Sequence, residues 1–153
     1  MSDLVIETPR GKVYHGENGK AVLEWNPNFS PKWGGRYSNA QKYVDSEVLR
    51  LCEPYLPFRT GMLIKLGILG TKIGSGWVIW LGPYARFLYY GKVMVGIESR
   101  SAWAKKGEKK EVIDKDLTYH GGGLRGSFWF QRMKEVSGRA IIAGAKKIAG
   151  GGK

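Results

Sequence analysis

The stretch of sequence that decides the fold runs from Pro54 to Gly96 and reads PYLPFRTGMLIKLGILGTKIGSGWVIWLGPYARFLYYGKVMVG. Aromatic side chains, glycines and turn signals are dense in it, and it contains no motif typical of catalysis or metal binding. Aromatic residues at this density are typical of a packed core or of a subunit interface. We therefore interpret the stretch as structural and expect the protein to act by contacting other protein subunits.

The chain as a whole has the size of one domain and is strongly basic. A chain of 153 residues buries roughly 70% of its unfolded surface when it folds. Lys and Arg number 25 against 13 Asp and Glu, so the net charge is +12. Residues 77–153 carry +9 of this excess and residues 1–76 carry +3. A field of this sign favours polyanionic partners such as nucleic acid or an acidic protein face.

Cysteine usage and hydropathy indicate the compartment. Cys52 is the only cysteine, so no intrachain disulfide can form and a secreted scaffold held by disulfides is excluded. The N-terminus MSDLVIETPR has no basic lead followed by an apolar run, and the apolar segments are interrupted well before about 18 residues. We expect a reducing compartment, without export or membrane insertion.

Residues 1–35 are predicted to form a hairpin and a loop. Lys12 to Trp25 places two β-prone runs around Asn18 and Gly19, a dipeptide that adopts positive φ in tight hairpin turns. Asn26 to Gly35 contains two prolines and a glycine pair, which is typical of a loop.

A central helix is predicted to follow this loop. Ser38 and Gln41 have the spacing of a capping box. The apolar residues then recur at helical spacing, as Ala40, Val44, Val48 and Leu51. Pro54 and Pro57 are expected to end the helix, because proline removes a backbone donor and restricts the residue before it.

The decisive stretch itself is predicted to hold a second hairpin. Met62 to Leu69 and Trp77 to Leu81 are apolar runs of strand length on either side of a turn at Gly74 to Gly76. Tyr84 to Tyr90 is compatible with a further strand or with a short helix, since periodicity does not decide a run of that length. Residues 98–125 are rich in lysines, acids and glycines, and we expect them to form a long arm or loop.

The last element is predicted to be an amphipathic helix from Trp129 to Ala149. Trp129 and Met133 are expected to dock this helix on the core. The opposite side carries a basic ridge that is either a solvated face or a surface for DNA or an acidic neighbour, formed by Arg132, Arg139 and Lys146.

The aromatic cluster supports two interpretations. Tyr, Trp and Arg are enriched at subunit interfaces, and the same rings can also stack on unpaired bases. We favour a role in the oligomer interface or the core. The cluster consists of Trp77, Trp80, Tyr84, Arg86, Phe87, Tyr89 and Tyr90.

Catalytic and metal-binding groups are sparse. His15 and His120 stand in no spacing typical of a metal site, and we interpret Cys52 as a structural thiol. A hydrolase or nuclease that uses His120 with Asp114 or Asp116 is an alternative hypothesis. The glycines from Gly121 to Gly123 can offer amides to a phosphate, with Arg125 beside them, but a hinge is the simpler interpretation.

Five blocks of the sequence resemble one known family. They read PYLPFRTGML, GT with GSG, GPYARFLYYGKVMVG, LTYHGG at Leu117–Gly122 and FWFQRMK at Phe128–Lys134. In this order they resemble the tailed-bacteriophage minor capsid protein family, which is related to neck and head-tail joining proteins. The resemblance covers about Ser38 to Lys147, and the N-terminal hairpin matches less clearly.

The resemblance implies a non-enzymatic virion protein without cofactor or metal. It implies an α+β fold, in which a curled antiparallel sheet of hairpins is flanked by a central and a C-terminal helix. The protein would be assembled in the host cytoplasm and placed in the neck of the virion. The implied partners are further copies in a ring, a portal, adaptor or head-closure protein, a tail terminator or tail-completion protein, and packaged DNA. A standalone basic nucleic-acid-binding protein is the alternative.

Overall fold

The computed structural model of the protein describes residues 12–16 and 19–150, and the helices and strands found there confirm an α+β fold. A 3₁₀ turn at Glu53–Tyr55 continues the first helix. In chain order, the elements are β1 (Lys12–Gly16), β2 (Gly19–Leu23), α1 (Phe29–Cys52), α2 (Met62–Gly70), α3 (Ala85–Tyr90), β3 (Lys92–Gly96), β4 (Lys110–Asp116) and α4 (Trp129–Ala149).

The strands form two separate antiparallel hairpins in the described part of the chain, and not one curled sheet. In the first, Val13 pairs with Val22, so the predicted N-terminal hairpin is confirmed, although Asn18 of its turn lies outside the described residues. In the second, Met94 of β3 pairs with Val112 of β4. Each hairpin has one strand pair, so the helices supply most of the core.

Helices α1 and α4 pack against each other and form the centre of the molecule. The core side chains come from both helices and from the segments that follow α1. Gly144 of α4 lies where an added Cβ would overlap the ring of Tyr43 on α1, so its lack of a side chain permits a close approach. The buried core comprises Val48, Cys52, Tyr55, Leu56, Leu63, Ala85, Trp129, Met133 and Ile141.

Helix α1 begins nine residues before the predicted capping box, so the prediction of a loop through Gly35 is wrong beyond residue 28. Pro31 is tolerated because it occupies the first turn, where backbone N–H groups have no helical partner in any case. Aromatic rings at i, i+4 spacing stabilise this turn despite the glycine pair. Their centroids lie 5.2, 6.1 and 6.2 Å apart in the series Trp25, Phe29, Trp33 and Tyr37.

The predicted second hairpin within residues 62–81 is also wrong. Met62 to Gly70 forms helix α2, and residues 77–81 are extended but belong to no strand. Gly67 faces the indole of Trp80 so closely that a Cβ would lie 2.5 Å from its Nε1 atom. The amide of Ile79 donates to Thr71 Oγ1 at 3.0 Å. The apolar run therefore folds as a helix because the extended segment packs across its glycines.

The structure decides the open choice for Tyr84 to Tyr90 in favour of a helix. Helix α3 runs from Ala85 to Tyr90, and Gly91, with a φ of 75°, terminates it in the left-handed conformation. The following segment, residues 98–125, is not a continuous arm, because it contains β4. Its later part is held to the body by Arg125, whose Nη1 donates to Leu56 O at 2.6 Å. No helix among the described residues is long and apolar enough to cross a bilayer.

Candidate subunit interface

A network of perpendicular aromatic contacts joins α3 to the start of α4. Tyr89 lies at its centre, with ring centroids 4.7 Å from Trp129 and 5.5 Å from Phe128. Trp80 meets Trp129 edge to face at 5.8 Å. Such pairs are worth about 0.5–1.5 kcal/mol each beyond their buried area. The network fixes the position of α3, a helix too short to be stable alone.

The structure places about half of the predicted interface or core residues in or against the core. Trp129 and Met133 are almost fully buried and dock α4 as expected. Trp80 and Tyr89 are half-buried and pack against the core cluster, and Phe87 is also half-buried. Burial raises the pKa of the Tyr89 phenol, although its hydroxyl hydrogen-bonds to Gln131.

The other predicted interface or core residues are exposed, and most of them line an open groove. Trp77 is 72% exposed, and Tyr84, Tyr90 and Arg86 are exposed as well. All but Tyr84 line a groove of about 750 Å³, which is bounded by α1, residues 76–80, α3 and the first turn of α4. The apolar groups along it include Val44, Val48, Trp77, Tyr90 and Phe130.

One buried carboxylate shapes the end of this groove. Asp45 of α1 is 1% exposed, and its Oδ2 accepts hydrogen bonds from the amides of Gly74 at 2.7 Å and Gly76 at 3.1 Å. Its Oδ1 accepts from Gln41 Nε2 at 2.8 Å. The turn that precedes Trp77 is thereby fixed to α1. Sequence reasoning missed Asp45, although an acid between Val44 and Val48 on an apolar helix face was a usable signal.

A second groove continues the same face of the molecule. It has a volume of about 540 Å³ and lies between the first half of α1 and the last half of α4. It shares Gln41 and Val44 with the first groove, and it presents Tyr37 and Ile142, which are both exposed. The two grooves therefore adjoin each other, and we call the mainly apolar surface that they make up the groove face.

The basic ridge on α4 is smaller than its sequence indicated. The guanidinium of Arg132 donates to Leu124 O at 2.5 Å and Ser127 O at 3.3 Å, and it lies 5.2 Å from the ring centroid of Tyr55. This arginine holds the loop before α4, whereas Arg139 and Lys146 are exposed.

The catalytic alternative is not assembled in the described residues. Asp114 and Asp116 both bind Lys92 Nζ, at 2.8 and 3.0 Å, and the hydrogen bond from Lys92 lowers the pKa of Asp114. No hydrogen bond or ion pair joins either carboxylate to His120 in residues 19–150. The same residues contain no group of three or more ligands placed to hold a metal ion.

Two further candidates of the sequence are used structurally. Cys52 is fully buried, and burial raises the pKa of its thiol to about 12. The guanidinium of Arg125 binds the Leu56 and Glu53 carbonyls and stacks on Phe58 at 4.9 Å, so it is not free for a phosphate beside the glycines.

Comparison with known proteins gives no relative of this chain. No family model matches it, and no curated protein or solved structure is significantly similar to it. The role of the groove face is therefore inferred from its own residues and geometry.

Proposed function

We propose that the protein is a structural subunit of a tailed-phage virion that forms a homo-oligomeric ring in the head-tail connector, or neck. The ring joins the portal side of the head to the tail and lines the path of the DNA. The single observation that carries the proposal is the groove face, a broad apolar surface that is open to solvent in the single chain.

The groove face has the composition of a protein-binding surface. Contiguous exposed apolar patches of this kind mark interaction sites in soluble proteins. Trp and Tyr are the residue types that contribute most at interfaces, and here Trp77 and Tyr90 stand exposed at the groove. The hydrogen bonds of Asp45 to the glycine turn fix the backbone before Trp77, and the aromatic network fixes that of Tyr90. Little conformational entropy is therefore lost when a neighbouring subunit binds.

A ring requires each copy to use two different surfaces, because a single self-complementary patch gives a closed dimer. The first hairpin offers a second, smaller apolar patch. Val13 and Val22 are paired across its strands, and both are about half exposed. Two distinct apolar surfaces on one chain support a head-to-tail assembly.

Charge and sequence resemblance support the location in the neck. A net charge of +12 favours nonspecific contact with packaged DNA, which needs no base recognition. The blocks that resemble the minor capsid family support a portal, adaptor or head-closure protein on one side and a tail terminator or tail-completion protein on the other. We propose no enzymatic activity, cofactor or metal.

The proposal is tested by disrupting the groove face. Trp77→Glu places a charge in the groove, and Val136→Glu serves as a matched control, because Val136 is 74% exposed on α4 and is absent from the lining of both grooves. Sedimentation velocity over a concentration series and negative-stain microscopy should show rings for the wild type and the control, and smaller species for Trp77→Glu.

A virion experiment covers the case in which a partner must template the ring. Mass spectrometry of purified particles should detect the protein together with the other neck proteins. Wild-type protein that stays monomeric at every concentration and is absent from such particles would contradict the proposal.

The high positive charge also favours the alternative of a standalone nucleic-acid-binding protein. This protein would bind DNA as a monomer with an affinity that falls steeply with salt. Changing Arg139 and Lys146 to Glu would then weaken binding. A monomer that does not bind DNA at low salt would eliminate this alternative.

A further inference from the structure

The loop that joins β3 to β4, residues 97–109, carries the most exposed tryptophan of the described residues. Trp103 is 86% exposed. It lies on the end of the second hairpin and belongs to neither groove. We call residues 97–109 the tip loop. None of the functional residues considered above lies in it.

The tip loop is fixed by its own hydrogen bonds. Oε1 of Glu108 accepts from the amides of Ser99 at 2.7 Å and Glu98 at 3.0 Å, and Oε2 accepts from the amide of Lys105 at 2.8 Å. The amide of Trp103 donates to Ser101 Oγ at 3.1 Å. The carboxylate therefore ties the two ends of the loop together, and Trp103 lies exposed between them.

Three lysines follow the exposed indole in the same loop. Lys105, Lys106 and Lys109 are exposed and take part in no ion pair among residues 12–16 and 19–150. Glu108, which precedes Lys109 in the chain, accepts backbone amides with both of its oxygens. The tip loop thus carries one exposed aromatic ring and three lysines that form no ion pair in the described part of the chain.

We propose that the tip loop binds nucleic acid, with Trp103 stacked on an unpaired or terminal base and the three lysines on the neighbouring phosphates. A single ring is sufficient to stack on a base, and lysines bind phosphates as point charges. Insertion into a membrane would require more apolar area than this loop has, because Ile97 is its one other large apolar residue and the neighbours of Trp103 are Ala102 and Ala104.

The inference deepens the proposed contact with DNA and rests on the proposed function only in the choice of DNA as the polyanion. The tip loop replaces the basic ridge of α4 as the proposed main contact with DNA, since the guanidinium of Arg132 already donates to backbone carbonyls. A terminal or single-stranded base is the form of DNA that offers a free face, so a closed duplex should bind through its phosphates alone.

Fluorescence anisotropy with the full chain and a labelled 16-nucleotide single strand tests the stacking. Trp103→Ala should weaken binding about 5- to 150-fold, as measured for loss of one stacking aromatic, and Trp103→Phe should retain most of the affinity. Leu69→Ala is the control, because Leu69 is 78% exposed and lies on α2. A covalently closed circular duplex, which has neither terminal nor loop bases, should bind the Trp103→Ala variant and the wild type equally.

The salt dependence tests the lysines. Replacing Lys105, Lys106 and Lys109 with Gln should reduce the slope of log K against log salt by about 2, at about 0.7 per phosphate contact on a single strand. The control replaces three other exposed lysines, Lys32, Lys65 and Lys72, and so removes the same charge. Equal slopes for the two variants would overturn the proposal.

Other outcomes are equally decisive. Wild-type protein that binds no single strand at low salt, or a Trp103→Ala variant that binds it like the wild type, would overturn the proposal. If Trp103→Ala loses binding to anionic phosphatidylserine vesicles while its affinity for DNA is unchanged, the tip loop binds a membrane instead. The Trp103→Ala variant should still form rings, because the tip loop belongs to neither groove. If the wild type forms no rings, the connector proposal fails, but the anisotropy result still tests DNA binding by the tip loop.

Discussion

At the scale of single residues, Asp45 shows how a buried charge organises a surface. Its carboxylate receives two amide hydrogen bonds from the glycine turn and one from Gln41, so each oxygen has a donor. A buried carboxylate is tolerated when such bonds replace water. These bonds fix the turn that precedes Trp77, and the exposed indole of Trp77 therefore has a defined place at the groove.

Removal of this carboxylate should destabilise the protein. Asp45→Ala leaves two glycine amides without an acceptor, and we expect a loss of about 3 kcal/mol in the free energy of unfolding. Urea denaturation measures the change. Asp114→Ala is the control, since that side chain is almost fully exposed, and it should behave like the wild type. Equal stability of both variants would show that the amides find other partners.

Glu108 makes the tip loop sensitive to acid. Hydrogen bonds from the Ser99 and Lys105 amides lower the pKa of its carboxyl to about 2 from an ordinary 4.5. A carboxyl whose pKa is lower in the folded state stabilises that state above the unfolded pKa, and this contribution is lost as the pH falls through the folded value. As the pH falls through about 2, the Ser99 and Lys105 amide resonances of the folded protein should therefore shift together in NMR spectra. Glu108→Gln should abolish this shift, and persistence of the shift would assign it to another group.

At the scale of elements, the sequence predicts best where one face of an element meets the core. The bounds of α4 are predicted correctly, because its apolar residues recur at helical spacing on a single buried side. The apolar run of α2 lacks this signal, since Ile68 and Leu69 are exposed while Gly67 is buried. The start of α1 is missed because prolines and glycines normally indicate a loop, whereas here aromatic stacking between successive turns stabilises the helix.

Two helical glycines should respond in opposite directions to alanine. Gly67 of α2 contacts Trp80, and an added Cβ would lie 2.5 Å from Nε1 and 2.8 Å from Cδ1 of its indole. Gly67→Ala should therefore destabilise the protein by about 1–3 kcal/mol through overpacking. Gly138 of α4 has no neighbour closer than 3.4 Å to the added Cβ, so Gly138→Ala should gain about 0.5–1 kcal/mol from helix propensity. Thermal unfolding of both variants measures the difference in sign.

At the scale of the whole molecule, the residues of the candidate site fall into a buried group in the core and an exposed group at the groove. The sequence identifies the aromatic residues as core or interface groups but does not separate the two roles. Separation depends on how α3 lies across α4, which leaves Tyr89 half-buried and Tyr90 exposed although they are neighbours in the chain. The tip loop is missed for a different reason. A lysine-rich segment is typical of a mobile arm, and the carboxylate that fixes it acts through backbone amides, which no side-chain pattern indicates.

The central position of Cys52 makes its thiol a probe of the whole fold. It lies in the core cluster with side chains of α2, α3 and α4, and a pKa of about 12 keeps it protonated. The thiolate is the reactive form, so at pH 8 the native protein should not react with Ellman's reagent. Reaction should begin only where urea unfolds the chain, and its midpoint should coincide with that of the far-ultraviolet circular dichroism signal. Reaction at lower urea would show that the helices separate before the molecule unfolds, in which case α1 and α4 would not form one cooperative unit.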